Sequence, residues 1–360
     1  MKYKIMAFIS LFMLLSFNLE NAKACTGITL RAKDGSIILS RTIEWGGSSL
    51  NSEYVVVPRG YKTTSMTSDG KPGFSFTGKY GYVGLSVEKK EFVTEGINEQ
   101  GLSAGLFYFP GYGKYPEYDS KQSEKYIADF QLASWLLASF STVEEVIQNF
   151  HLVKVTGLDP RASTVHWRIA DPSGRQVVLE IVDGEAHFYE NKLGVLTNSP
   201  GFPWQMTNLN NYVNLTSGTT GEQKYDDITL KSFGSGSNSL GLPGDITPPS
   251  RFVRAAFYKL SAPQYNTGEE TVMECFQIMN NFDLPIGIEF SKGEKITDIP
   301  SATQWTVTTD VTNKIIYYRT MYNSTIRRID LKNINFSTCK YTANPLDKVK
   351  KQPIEDAMTH

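Results

Sequence analysis

From Thr26 to Glu44 the chain reads TGITLRA, then Lys33-Asp34-Gly35-Ser36, then IILSRTIE. Two β-branched runs around an Asp-Gly pair are a strong short-range signal for an antiparallel hairpin. The first part of the chain is therefore committed to a sheet. Taking Asp34-Gly35 as a two-residue loop pairs Lys33 with Ser36 and sets Cys25 opposite Glu44. Directly opposed side chains lie about 4.5–5.5 Å apart at Cβ. Strict alternation then places Arg41 and Glu44 on opposite faces, so a bulge or twist is needed if both are to serve Cys25.

β signals continue downstream. SEYVVVPRG, KYGYVGLSV and EFVTEG extend the sheet pattern, and INEQG reads as a turn before LSAGLFYF. Residues 123–150 change period: SEKYIADFQLASWLLASF has helical spacing, and Ser141-x-x-Glu144 reads as a capping box opening VEEVIQNF. A second β block follows in STVHWRIAD, RQVVLEIVD, EAHFYEN and LGVLTN, with turns at Pro172-Ser173-Gly174 and Asp183-Gly184. Residues 233–250, rich in Gly, Ser and Pro, predict one long ordered loop. RFVRAAFYKLSA and EETVMECFQIMNNF read as helices. ATQWTVTTDVT, KIIYYRTMYNS and TIRRIDL close the β pattern, and the polar tail from Tyr341 is expected to fray. With no linker, repeat or low-complexity block, residues 25–360 predict one α+β domain.

The first 24 residues read differently. Lys2 and Lys4 precede Ile5–Phe17, a thirteen-residue uncharged and largely apolar run, and Ala22-x-Ala24 follows. That is the pattern of a secretory signal peptide cut after Ala24, and the run is too short to span a bilayer. The expectation is export to the periplasm or beyond, with no stable membrane insertion. Removing residues 1–24 leaves 33 basic and 36 acidic residues. A net charge of -3 argues against nucleic-acid binding and against a basic membrane-surface patch. Three cysteines cannot all pair, so this is no disulfide scaffold despite the export.

Cleavage after Ala24 would give Cys25 a free α-amino group with a reference pKa near 8. The thiolate is the attacking species, and an adjacent amine can take the thiol proton. A carboxylate at Glu44 can orient that amine, and a guanidinium at Arg41 can hold the thiolate. Against this stand a merely buried Cys25, an ordinary Arg41–Glu44 surface pair, and lipidation of Cys25 as a surface binding protein. A lipoprotein signal expects a large aliphatic three residues upstream, where Ala22 stands with charged Lys23 after it. His151, His166, His187 and His360 have no metal-ligand spacing, and His166 lies in a strand pattern that packs it. Cys275 falls in a helical run as a buried residue, and Cys339 near the fraying end. Phe109–Tyr118 (FPGYGKYPEY) is the best candidate for an aromatic wall of a substrate pocket.

CTGITLRAKDGSIILSRTIEWG resembles the start of mature choloylglycine hydrolases (bile salt hydrolases) and penicillin V acylases, members of the N-terminal-nucleophile hydrolase superfamily. VVVPRGY, GINEQGLSAGLFY, VHWRIADPSG, GVLTNSPGFPWQMTNLNNY and LGLPGDITPPSRFVRAAF continue the likeness in the family's order, from Cys25 to about residue 330. The resemblance implies an αββα sandwich of stacked antiparallel sheets, hydrolysis of linear amides, no metal or cofactor, and a homotetramer. It implies Cys25 as nucleophile with its own amine as base, Arg41 beside the thiol, Asn198 in the oxyanion hole and Arg251 as a second site arginine. Glu44 falls where many members have aspartate. Tyr108 falls where many bile salt hydrolases have asparagine and penicillin V acylases have tyrosine, its backbone N–H offering a second oxyanion donor. Conjugated bile salts come first as expected substrates and penicillin V second. An acylase for N-acyl homoserine lactones is a third reading.

Overall fold

The computed structural model describes residues 23–158 and 163–358; most of the expected signal peptide, residues 1–22, lies outside them. Strand β1 (Lys23–Arg31) pairs antiparallel with β2 (Ile37–Trp45) as the opening hairpin. The register differs by one from the two-residue loop. Arg31 pairs with Ile37 and Ala32 N–H donates to Ser36 O, so Lys33-Asp34-Gly35 forms a three-residue loop with Gly35 at φ +92°. Glycine tolerates this left-handed closing conformation. Asp34 holds the turn by accepting the Ser36 N–H (2.8 Å) and the Gly268 N–H of a neighbouring helix (3.0 Å). Cys25 therefore faces Ile43, and Glu44 faces Ala24.

A one-residue slip moves every side chain of a strand to the other face. Here it removes the need for a bulge between Cys25 and Arg41. Both now project to the same side, and Glu44 to the other.

β1 and β2 lie inside a six-stranded antiparallel sheet, ordered Val195–Leu196, β1, β2, Thr303–Asp310, Ile315–Thr320, Asn323–Asp330. An eight-stranded antiparallel sheet faces it, ordered Glu185–Glu190, Gln176–Val182, Val165–Ala170, Ser103–Tyr108, Val93–Asn98, Tyr82–Val87, Ser52–Val57, Thr342–Pro345. Helices Pro248–Ser261 and Gly268–Met279 cover the outer face of the first sheet, and Asp129–Ser139 covers that of the second. The four layers are an αββα sandwich, as the resemblance implied.

The sheets approach closely where chemistry will sit. A Cβ on Gly27 would stand 2.9 Å from the Phe107 ring and 3.0 Å from the Arg168 guanidinium. Any larger residue there would push the sheets apart.

Three local expectations are corrected. The helix expected from 123 begins only at Asp129; a 3₁₀ turn (Ser120–Lys125) and a short strand (Tyr126–Ala128) precede it. The next helix, Val143–Asn149, is capped by Thr142 rather than Ser141. Thr142 Oγ1 accepts the Glu145 N–H, Glu145 returns its carboxylate to Ser141, and Asp171 from a neighbouring turn takes the Val143 N–H. The tail does not fray at Tyr341: Thr342–Pro345 pairs with Ser52–Val57 as an edge strand and buries Leu346. An edge position needs only one paired side, which tolerates Pro345.

Candidate active site

Cys25 is buried on β1, and Arg41 Nη2 lies 2.8 Å from its Sγ. Arg41 is fully buried and held on every side. Its Nε donates to Thr42 O (3.1 Å), and Nη1 donates to Leu106 O (2.7 Å) and Thr94 O (3.2 Å). Its guanidinium carbon sits 4.2 Å from the Phe107 ring centroid. Burial pushes the thiol up, and Arg41 is the largest influence pulling it back. Glu44 opposes Arg41, while the Tyr108 backbone amide and Arg251 help it.

Asn198 arrives by strand register. Val195 and Leu196 pair with Ile28 and Gly27, and two more residues in that register reach Cys25. Asn198 Oδ1 accepts the Cys25 backbone N–H at 2.9 Å, and Asn198 Nδ2 donates to Tyr108 O at 2.7 Å. Arg251 Nη2 also donates to Asn198 Oδ1 (2.7 Å), which fixes the amide's orientation. Among the described residues one Nδ2 hydrogen is taken by Tyr108 O, which leaves the other for a ligand.

Arg251 comes from the first turn of helix Pro248–Ser261. Two prolines open that helix, and Asp245 gathers its start by accepting from Thr247 N–H, Thr247 Oγ1 and Ser250 Oγ. Those bonds bring the Asp245 carboxyl down to about 2. The anchored turn aims Arg251 Nη1 at Cys25 O (2.6 Å) and Thr26 Oγ1 (2.7 Å).

Glu44 lies on the helix-facing side, opposite Ala24, whose carbonyl forms the peptide bond to Cys25. Its Oε1 is 3.5 Å from Thr303 Oγ1, and its buried Oε2 has no partner at hydrogen-bond geometry among the described residues, with the Thr42 hydroxyl adjacent. Burial pushes this carboxyl up to about 8 against the pull of Arg251, and Glu289 nearby pushes in the same direction. Glu289 is itself raised to about 7 by burial.

A cavity of about 440 Å³ opens beside Cys25, lined by Trp45, Leu50, Phe92, Leu106, Tyr108 and Phe130 among others. The expected aromatic wall at 109–118 is a correction. Phe109 turns inward and stacks on His166 with centroids 4.4 Å apart, and the Tyr115 hydroxyl accepts the Val165 N–H. Phe92, Phe130 and Trp45 supply the aromatic surface instead.

The family model for linear amide C-N hydrolases, choloylglycine hydrolase family, matches residues 25–346. The chain belongs to the choloylglycine hydrolase family. It is thereby a hydrolase acting on linear amide C–N bonds. It is 33% identical over 319 residues to a bile salt hydrolase/transferase of Clostridium perfringens, covering 86% of this chain and 93% of that one. Identity to a penicillin V acylase of Pectobacterium atrosepticum is 26% over 335 residues, covering 86% and 81%. A mutant of the conjugated bile acid hydrolase from Clostridium perfringens superposes with a TM-score of 0.79 at 30% identity, covering 92% of this chain and 99% of that one. A penicillin V acylase from Agrobacterium tumefaciens shares the fold, with a TM-score of 0.71 at 23% identity over 87% and 88%.

In this choloylglycine hydrolase family member, Cys25, Arg41, Tyr108, Asn198 and Arg251 meet at one point, with Glu44 on the far side of β1. Sequence reasoning read His166 as packed but missed the charged pair behind Arg41. Glu95 and Arg168 lie between the sheets under Arg41. His166 bridges Thr197 O (3.0 Å) and Glu180 (3.1 Å), which steadies the segment carrying Asn198. Their alternation inside apolar strands was the available signal: a charged residue on an inward face requires a partner. All three cysteines are free; Cys275 is buried and Cys339 half-buried. No metal-ligand cluster occurs among the described residues, and no helix among them is long and apolar enough to cross a membrane.

Proposed function

We propose that the enzyme is exported, loses residues 1–24, and uses Cys25 to hydrolyse amides of bulky, apolar acyl groups, foremost glycine- and taurine-conjugated bile salts. One observation carries this reading: the Cys25 thiol touches the Arg41 guanidinium and its backbone nitrogen rests on Asn198 Oδ1, beside a largely apolar cavity. Once freed, the α-amine keeps its N–H on Asn198 and turns its lone pair to the thiol. It takes the thiol proton, and the thiolate attacks the substrate carbonyl carbon. The developing oxyanion receives the free Asn198 Nδ2 hydrogen and the Tyr108 backbone N–H. The C–N bond breaks as the leaving nitrogen takes the proton from the α-ammonium. Water, deprotonated by the same amine, then opens the thioester and releases the acid.

Glu44, which pairs with Ala24, is the carboxylate assigned to orient the new ammonium. Arg251 braces Asn198 and the Cys25 carbonyl. Penicillin V is the second substrate, a reading favoured by Tyr108 at the cavity wall.

The reading includes a homotetramer. Tyr225, Ile228, Leu230, Phe233 and Leu240 are all exposed along one stretch of chain, and exposed apolar side chains of this kind suit a protein contact. Light scattering tests it, and a monomer overturns the assembly. Release of glycine or taurine from conjugated bile salts, of phenoxyacetate from penicillin V, and of acid from an N-acyl homoserine lactone, measured side by side, decides the substrate. Intact mass reads the N-terminus: a free Cys25 supports the enzyme, and a diacylglyceryl adduct overturns it.

A further inference from the structure

Arg168 and Glu95 lie between the two sheets directly behind Arg41, and no step above uses them. Glu95 Oε2 is 3.6 Å from Arg41 Nη1, and both Glu95 oxygens accept from Arg168 Nη2, at 3.3 and 3.4 Å. Arg168 Nη1 donates across the sandwich to Ser40 O (3.2 Å) and Ile28 O (3.4 Å), the strands that carry Arg41 and Cys25. Phe107 stands between the two guanidinium groups, 4.2 Å from Arg41 and 5.6 Å from Arg168. All three charged groups are buried.

Two guanidinium groups share one carboxylate here, an excess of one positive charge around Arg41; Glu180, the other buried carboxylate of this layer, is engaged by His166 at 3.1 Å. An unbalanced charge away from water is costly, so a group that can supply the missing negative is driven to do so. The thiol that touches Arg41 is such a group. We propose that Arg168 and Glu95 are a positioning pair of the active site, holding Arg41 against Cys25 and setting an excess of positive charge at Arg41 that favours the Cys25 thiolate. The proposal rests on Cys25 being the reactive thiol.

Other groups near Cys25 are Glu44 on β2, Arg251 on helix Pro248–Ser261 and the Tyr108 amide. Cys275 adjoins Arg168, but burial pushes its thiol far up and keeps it protonated. His166 packs edge-on to Phe107 and is occupied by Glu180 and Thr197.

The test is the rate of Cys25 alkylation by iodoacetamide from about pH 5 to about pH 9, mapped by peptide mass on the mature protein. Arg168→Met removes a positive charge and should move the midpoint of the profile up by about one pH unit. Glu95→Gln removes the negative charge at constant shape and should move it down by a similar amount. Arg168→Lys should leave it near the wild-type position. A purely structural role moves neither midpoint, or moves both the same way, and either result overturns the pair. Removing one member of a buried ion pair can unfold a chain. Should Arg168→Met not fold, the isosteric Glu95→Gln decides alone: a downward shift supports the pair, and an unmoved or raised midpoint overturns it. Wild-type Cys25 that resists alkylation throughout overturns both this proposal and the nucleophile beneath it.

Discussion

Arg41 and Cys25 project from the same face of one hairpin, and the guanidinium Nη2 lies 2.8 Å from the thiol Sγ. The contact is rigid because Arg41 spends three of its other four N–H groups on the Thr42, Thr94 and Leu106 carbonyls.

Arg41→Met should therefore disable the thiol while leaving the sandwich able to form. An opposite charge within reach of an ionisable group is worth one to three pKa units. Cys25 alkylation at neutral pH is expected to slow by about 10- to 1,000-fold, with turnover falling in step. Alkylation at the wild-type rate in a folded variant would remove Arg41 from the site.

Cys25→Ser should lower turnover by at least about 1,000-fold with the fold retained, as removing a covalent nucleophile does elsewhere. One residue left ahead of Cys25 should have a comparable effect, because the base becomes an amide nitrogen. Thermal melts check the fold, and amide hydrolysis checks the chemistry. A fully active extended form would take the amine out of the mechanism.

Asn198→Ala should lower kcat by about 100- to 1,000-fold, the usual cost of one oxyanion donor. It also strips the Cys25 nitrogen and Arg251 Nη2 of a shared acceptor, so stability should fall by roughly 1–3 kcal/mol. Kinetics and chemical denaturation read the two effects separately. A loss of stability without a loss of kcat would assign Asn198 to scaffolding alone.

Glu44 gives a pH-dependent prediction for protein that retains Ala24. Its folded value of about 8 lies above the ordinary 4.5, so between these values the folded state keeps a proton that the unfolded chain releases. Stability then falls as pH rises through this window and levels off beyond it, with a slope of up to about 1.4 kcal/mol per pH unit. Glu289 adds the same sign up to about pH 7. Glu44→Gln should flatten the decline, most clearly between pH 7 and 8, where Glu289 contributes little. Denaturant midpoints across this range measure it. A variant whose stability falls as steeply as that of the parent would contradict the assignment.

Much of the architecture was legible in the chain. The β-branched runs around Asp34-Gly35 marked the hairpin, and the helices read at 251–262 and 269–282 form as Pro248–Ser261 and Gly268–Met279, the first opening three residues earlier, inside the stretch read as loop. The aromatic surface of the cavity was not. Phe109 and Tyr115 looked like pocket wall, but the sheet draws them inward to His166 and the Val165 amide, whereas Phe92 and Phe130 come from separate elements.

The sequence by itself determined the chemistry on offer: a cysteine after a small-x-small triplet, with an arginine and a carboxylate on the next strand. Residue type and spacing carry that information, because they act within one or two elements. Only the tertiary structure decided which partner the thiol meets. A third loop residue, with Gly35 left-handed and Asp34 tied to the Gly268 amide, shifts β2 by one position. Period-two alternation then gives Arg41 to the thiol and Glu44 to the peptide bond before it. Asn198, Arg251, Glu95 and Arg168 reach the site through strand pairing and helix packing across more than fifty residues of chain. Local pattern does not encode such contacts; closure of the sandwich does.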